Sequence, residues 1–134
     1  MAADNPVSPP PAAKFVTERT ENFASSYANS AIFESSAYDL RILFGQFDQK
    51  PDGGGVLKQH LAVSIPWDLA KLLIYWLQAQ VIAHELETGR PIGLRENVRP
   101  PVPATLTAEE QVDPIKQKYH AALKKLREEF IASL

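Results

Sequence analysis

Apolar residues recur at every second position along two stretches of this chain and crowd almost every direction of a helix in a third. In the first stretch Tyr38, Leu40, Ile42 and Phe44 alternate with Asp39, Arg41 and Leu43, the period of two shown by half-buried strands. In the second, Leu57, Gln59, Leu61, Val63 and Ile65 alternate with Lys58, His60, Ala62 and Ser64. Between them Asp48-Gln-Lys-Pro-Asp-Gly-Gly-Gly55 concentrates residues that tolerate turns and positive φ. A connection this short predicts an antiparallel hairpin, because a parallel crossover needs more chain. A shorter run around Ile32 and Phe33, ended by a bend at Ser35-Ser36, predicts one more strand ahead of these two.

The third stretch is predicted to be helical from Pro66 to Thr88. Proline suits a first helical turn, Asp68 favours the positive end of the helix dipole, and Gly89 with Pro91 stops the run. Only Lys71, Gln78 and Glu85 share a clean polar stripe on this helix. Leu69, Leu72, Leu73, Ile74, Tyr75, Trp76, Leu77, Val81, Ile82 and Leu86 fill most of the remaining circumference. A helix on one small sheet needs an apolar stripe on the order of 100° wide, so this one exceeds what a single subunit covers. The sheet face expected to meet it carries Tyr38, Leu40, Ile42, Phe44, Leu61 and Val63. Ile74 and Val81 on one flank, and Tyr75 and Ile82 on the other, are then the expected oligomer interface.

Outside this core the pattern weakens. Residues 1–26 hold Pro6, Pro9, Pro10 and Pro11 among polar residues without an apolar period, which reads as a flexible Pro-rich arm. Residues 27–89 are the core domain, and residues 90–106 form an Arg/Pro-rich extended linker with Arg90, Arg95 and Arg99. Residues 107–134 read as one amphipathic helix, with Thr107-Ala-Glu-Glu110 as a capping box and Asp113-Pro114 as a second, equally good start. Its apolar stripe is Ile115, Tyr119, Ala122, Leu126 and Phe130. The fold class that follows is α+β: a three-stranded antiparallel meander with the long helix packed on one face, plus a C-terminal helix.

Length and composition narrow the function. A chain of 134 residues holds one domain and its tails, and a core near 60 residues sits at the lower limit of independent stability. A formal net charge of -2 provides no global attraction to nucleic acid or anionic lipid. With no cysteine there is no disulfide, thiol nucleophile or thiolate metal site. The first eleven residues lack the basic start and apolar core of a secretory signal, and no apolar run reaches the ~20 residues of a membrane span. A cytoplasmic setting without membrane contact is expected.

The candidate chemistry is thin. His60, His84 and His120 fall on a strand, the long helix and the terminal helix. His84-Glu-Leu-Glu-Thr88 has threonine where a paired zinc ligand would stand, and Gly53-Gly54-Gly55 lacks the Lys-Ser or Lys-Thr and helix start of a phosphate loop. Asp39 and Asp68 are explained by a strand face and a helix start without acid–base work. No catalytic residue, metal or cofactor is therefore assigned. Two binding features remain: Arg99, Pro100, Pro101 and Pro103 as a polyproline ligand for another protein, and Lys116, Lys118, Lys124, Lys125 and Arg127 as a basic helix face toward phosphates.

Tyr27-Ala-Asn-Ser, then Tyr38-Asp-Leu-Arg-Ile-Leu-Phe-Gly45, and Val63-Ser-Ile-Pro-Trp-Asp-Leu-Ala-Lys71 with the helix after it, resemble a small bacterial family catalogued as domain of unknown function 3467. The shared features are a Tyr-x-Asn opening, a strand ending in Phe-Gly, a second strand running into Pro66, and an Ala-Lys pair early in a long helix. The likeness spans about residues 27–89 and leaves both tails outside. Ile65 stands where family members place a serine, with Ser64 displaced by one. The resemblance implies a bacterial cytoplasmic setting and carries no catalytic or ligand residue. The resulting expectation is a non-catalytic, homo-oligomeric structural or adaptor protein whose first partner is itself. The alternative is a nucleic-acid-associated regulator using the basic terminal helix.

Overall fold

A computed structural model describes residues 14–134, which divide into two compact units at Ser64 and Ile65. The first unit holds the sheet. Strands β1 (Ser30–Ser35), β2 (Asp39–Gln49) and β3 (Gly55–Pro66) form an antiparallel meander in the order β1-β2-β3. Residues 14–29 ahead of it contain neither strand nor helix, only a turn in which Phe23 N–H donates to the Thr20 carbonyl.

Two tight hairpins set the register. The first closes at Ser36, whose N–H donates to the Asp39 carbonyl at 3.0 Å, leaving Ala37 and Tyr38 as the loop. Among the described residues none other than glycine has positive φ, so this loop is not one of the mirror-image turns that two-residue hairpins favour. Ser36 Oγ compensates by accepting from the N–H groups of Tyr38 and Asp39 and donating to Asp39 Oδ1 at 2.7 Å. Tyr38, assigned by its alternation to the strand, thus belongs to the loop and is 89% exposed. In the second hairpin Gly53 N–H donates to the Lys50 carbonyl and Lys50 N–H to the Gly54 carbonyl, around Pro51 and Asp52. Gly53 closes this turn at φ 87°, where a side chain would be strained.

The register corrects the expected sheet face. A Cβ on Gly45 would point at Leu57 Cδ1 and one on Gly55 at the Phe47 ring, so odd-numbered residues of β2 and β3 share one face. Leu61 and Val63 therefore lie with Leu43, not with Leu40, Ile42 and Phe44. The β1 register, Ser30 opposite Gly45 and Ser35 opposite Leu40, adds Ile32 to the first face and Phe33 to the second. Both faces consequently carry apolar residues, the first beside the Glu34–Arg41 pair and the second beside Lys58 and His60. Each alternation defines the two faces of its own strand only, and the odd or even offset between strands depends on the turn.

The second unit begins with α1 (Trp67–Thr88). It starts one residue later than its sequence suggested, since Pro66 keeps an extended ψ of 158° as the last residue of β3 and forms the N-cap. No side chain caps this end, in keeping with Ile65 where a serine would stand; Asp68 Oδ1 instead accepts from Leu69 N–H. Gly89 ends the helix in the left-handed conformation, its N–H bonded to the Glu85 carbonyl. A single 3₁₀ turn spans Glu96–Val98.

The expected single C-terminal helix is two. A short α2 (Ala108–Gln111) is opened by the full capping box of Thr107 and Glu110, and α3 (Pro114–Ala132) by Asp113, whose Oδ1 accepts from Ile115 and Lys116 N–H. Pro114 separates them because it has no N–H to donate and holds Asp113 out of helical geometry, at φ -89° and ψ 111°. The side of α3 that is covered also differs from expectation. His120, Leu123, Arg127 and Ile131 are half-buried, while Ile115, Tyr119, Leu126 and Phe130, about 100° away around the helix, are exposed.

Gly45 is buried, and an added Cβ would sit 2.7 Å from the Lys58 carbonyl oxygen, a main-chain atom that cannot swing aside. Gly45→Ala should cost about 2 kcal/mol, in the range of overpacked sites, and lower the urea midpoint. Gly93→Ala, where a Cβ meets nothing within 4 Å, should leave that midpoint within error.

Candidate functional site

The surface with the strongest physical demand is α1. None of its residues is buried, although its sequence is dominated by leucine, isoleucine, valine and aromatics. Ile74, Tyr75, Val81 and Ile82, the residues singled out by sequence, are 61%, 63%, 43% and 58% exposed. Leu72, Trp76, Leu77 and Leu86 extend the apolar surface to further directions of the helix. Tyr75 and Trp76 pack edge to face with centroids 5.0 Å apart, which fixes two large rings on adjacent positions. The polar stripe of Lys71, Gln78 and Glu85 spans only about 40° at 100° per residue. Glu85 is partly engaged by its own chain, for its Oε2 accepts from Ile92 N–H at 2.9 Å. Beside it, Ile82, Glu85, Leu86, Gly89, Arg90 and Pro91 line a shallow dent at the end of the helix. Such a surface is suited to holding apolar groups.

The other candidate sites do not assemble into one place. Pro100 and Pro103 are half-buried, and the Pro100 carbonyl accepts from Arg127 Nε at 3.0 Å, so the polyproline segment is strapped to α3. Arg99 and Pro101 remain exposed at that strap. The cationic residues of α3 split around the helix: Lys118 and Lys125 lie on one side, Lys116, Lys124 and Arg127 on nearly the opposite one. Lys125 also faces Glu129 at 3.9 Å. His60, His84 and His120 sit on β3, α1 and α3, and among the described residues no group of three or more His, Asp or Glu side chains is placed to hold a metal ion. His120 Nε2 is enclosed without a hydrogen-bond partner. No helix among the described residues is long and apolar enough to cross a membrane.

Two motif residues gain a role that spacing alone did not reveal. Asn29 N–H donates to the Gly45 carbonyl, and its side-chain amide bonds the main chain of Phe47 twice, accepting from N–H at 2.7 Å and donating to C=O at 3.3 Å. The Tyr-x-Asn opening thereby continues the β1–β2 ladder beyond the end of β1. Gly45, the glycine of Phe-Gly, permits the close approach of β3 at the same point. The signal was present as the motif itself, but its meaning required the register.

One ionisable group departs from its ordinary range. The Thr107 hydroxyl, followed by the Thr107 N–H, holds the Glu110 carboxyl below the usual glutamate range, with the charges of Lys116 and His120 acting in the same direction. A lowered pKa in the folded state means the capping box stabilises α2 above the ordinary carboxylate range and is lost as pH falls through the depressed value. In an NMR titration Glu110 should titrate below the ordinary glutamate range, and Thr107→Ala should raise it toward that range.

No curated protein and no solved structure matches this chain. A family model matches residues 4–93, taking in the N-terminal segment, the whole sheet and α1, and ending before α2. The matched unit is therefore larger than residues 27–89: most of the N-terminal segment lies inside it, and residues 94–134 lie outside. By that match the chain belongs to the family described as Protein of unknown function (DUF3467).

Proposed function

We propose that this protein is a non-catalytic, homo-oligomeric structural or adaptor module whose subunits associate through α1. The observation that carries the reading is the exposure of large apolar side chains in almost every direction around that helix. Fully burying one such side chain contributes roughly 1.5–3 kcal/mol. Ile74, Tyr75, Val81 and Ile82 left in water would forgo several times that, whereas a two-fold partner buries all four on each subunit at once. The cytoplasm is part of the reading, supported by the absence of cysteine.

Sedimentation of two double variants tests it. Ile74→Glu with Val81→Glu should reduce the particle to a subunit or precipitate it, since each places a charge in the proposed interface. Lys71→Glu with Gln78→Glu should keep the native mass. The reverse pattern, with the apolar pair retaining its mass and the polar pair dissociating, would put the interface on the polar stripe and end this reading.

A further inference from the structure

Strand β3 has a neighbour along one edge and, among the described residues, no strand along the other. The sheet order ends at β3, so β2 satisfies one edge only. The bond from Lys50 N–H to the Gly54 carbonyl sets the phase: even-numbered residues of β3 turn their N–H and C=O toward β2. Those of Leu57, Gln59, Leu61 and Val63 point outward, and among the described residues no group bonds to them. The same phase appears on the far side of β2, where odd-numbered Gly45 and Phe47 bond Asn29.

Open edges invite further strands and are ordinarily blunted by shortness, proline or charge. β1 is short, at six residues, and carries Glu34 paired with Arg41. β3 runs for twelve, has Lys58 as its one formally charged side chain, and meets proline only at its last residue. We propose that β3 pairs with β3 of a second copy of this chain, antiparallel about a two-fold axis at Leu61, joining two three-stranded sheets into one of six strands. The strand matches itself in this register. The outward groups of Gln59 meet those of Val63, Leu61 meets Leu61, and about six main-chain hydrogen bonds form. Lys58 falls opposite Ser64 and His60 opposite Ala62, so no like charges face each other. Centring the axis on His60 instead would set that side chain against its own copy. This inference rests on the self-association proposed above but uses a different surface.

Amide hydrogen exchange on the native full-length protein reads the edge directly. The N–H groups of Gln59, Leu61 and Val63 should exchange at least 100-fold more slowly than in an unpaired strand, and faster on dilution. Gln59→Pro removes an outward N–H and leaves the β2 ladder intact, so it should free the Leu61 and Val63 amides while far-ultraviolet dichroism is retained. Should that variant not fold, single cysteines decide, because the chain has none of its own. Leu61→Cys, about 5.5 Å from its copy between Cα atoms, should give a disulfide-linked dimer on mild oxidation, and Lys58→Cys should not. Rapid exchange at Leu61 and Val63 in a particle of oligomeric mass, or no crosslink at Leu61→Cys, overturns the β3 pairing and leaves the α1 interface standing. A monomeric mass at every concentration overturns both.

Discussion

The close approach of β2 and β3 at Gly45 is the constraint from which the other features of the sheet follow. With no side chain at this position, the Lys58 carbonyl comes within a distance that any Cβ would forbid. From the opposite side the Gly45 carbonyl accepts from Asn29, so one residue is gripped by both neighbouring strands. That grip fixes the phase of the meander. The phase puts Leu43, Leu61 and Val63 on one face and Phe33, Leu40, Ile42 and Phe44 on the other. Apolar residues are thus divided between both faces, unlike the usual antiparallel sheet with one apolar and one solvated face. Of the large apolar side chains described, Ile65 alone is buried. Under the self-association proposed above, folding and assembly are coupled by mass action, because a neighbour supplies surface that a lone subunit lacks.

The sequence disclosed local structure well and long-range phase poorly. The alternation in β2 and β3, the Pro-Asp-Gly turn, the glycine stop at Gly89 and the capping box at Thr107 are each written in a few adjacent residues. Physical effects of short range decide them, and they lie where they were expected. The assignment of Leu61 and Val63 to the face of Leu40 failed because it depended on how many residues the hairpin consumes, a quantity no single strand contains. The C-terminal region failed for a related reason. Thr107 and Asp113 are both good helix starts, and the chain uses both, since Pro114 blocks continuation whatever stands ahead of it. The face of α3 that becomes covered is decided by the Arg127 bond to Pro100, between residues too far apart in the chain for any helical period to register.

The candidate surface was legible for a different reason. The breadth of the apolar sector on α1 is a property of composition and needs no register; Ile74, Tyr75, Val81 and Ile82 are exposed, as is nearly all of the helix. The open edge of β3 was not legible. It depends on which strand ends the sheet and on which residues turn their main chain outward, and both are facts of topology. Asn29 shows the intermediate case: a short motif marked it, while its task of bonding the Phe47 main chain appeared only with the strands in place.

The meander also has a kinetic consequence. Partners across β1 and β2 run from Ser35 with Leu40 to Ser30 with Gly45, all close in the chain, and the second hairpin turns on Pro51, Asp52 and Gly53. Sheets made of successive short hairpins have low contact order, and each hairpin forms in roughly 1–10 μs. Strand pairing in this chain is therefore local, and it produces a sheet with apolar residues on both faces. During synthesis such a sheet would be complete while α1 is still within the ribosome, so the chain passes through an adhesive stage whose duration is set by translation rather than by its own conformational search.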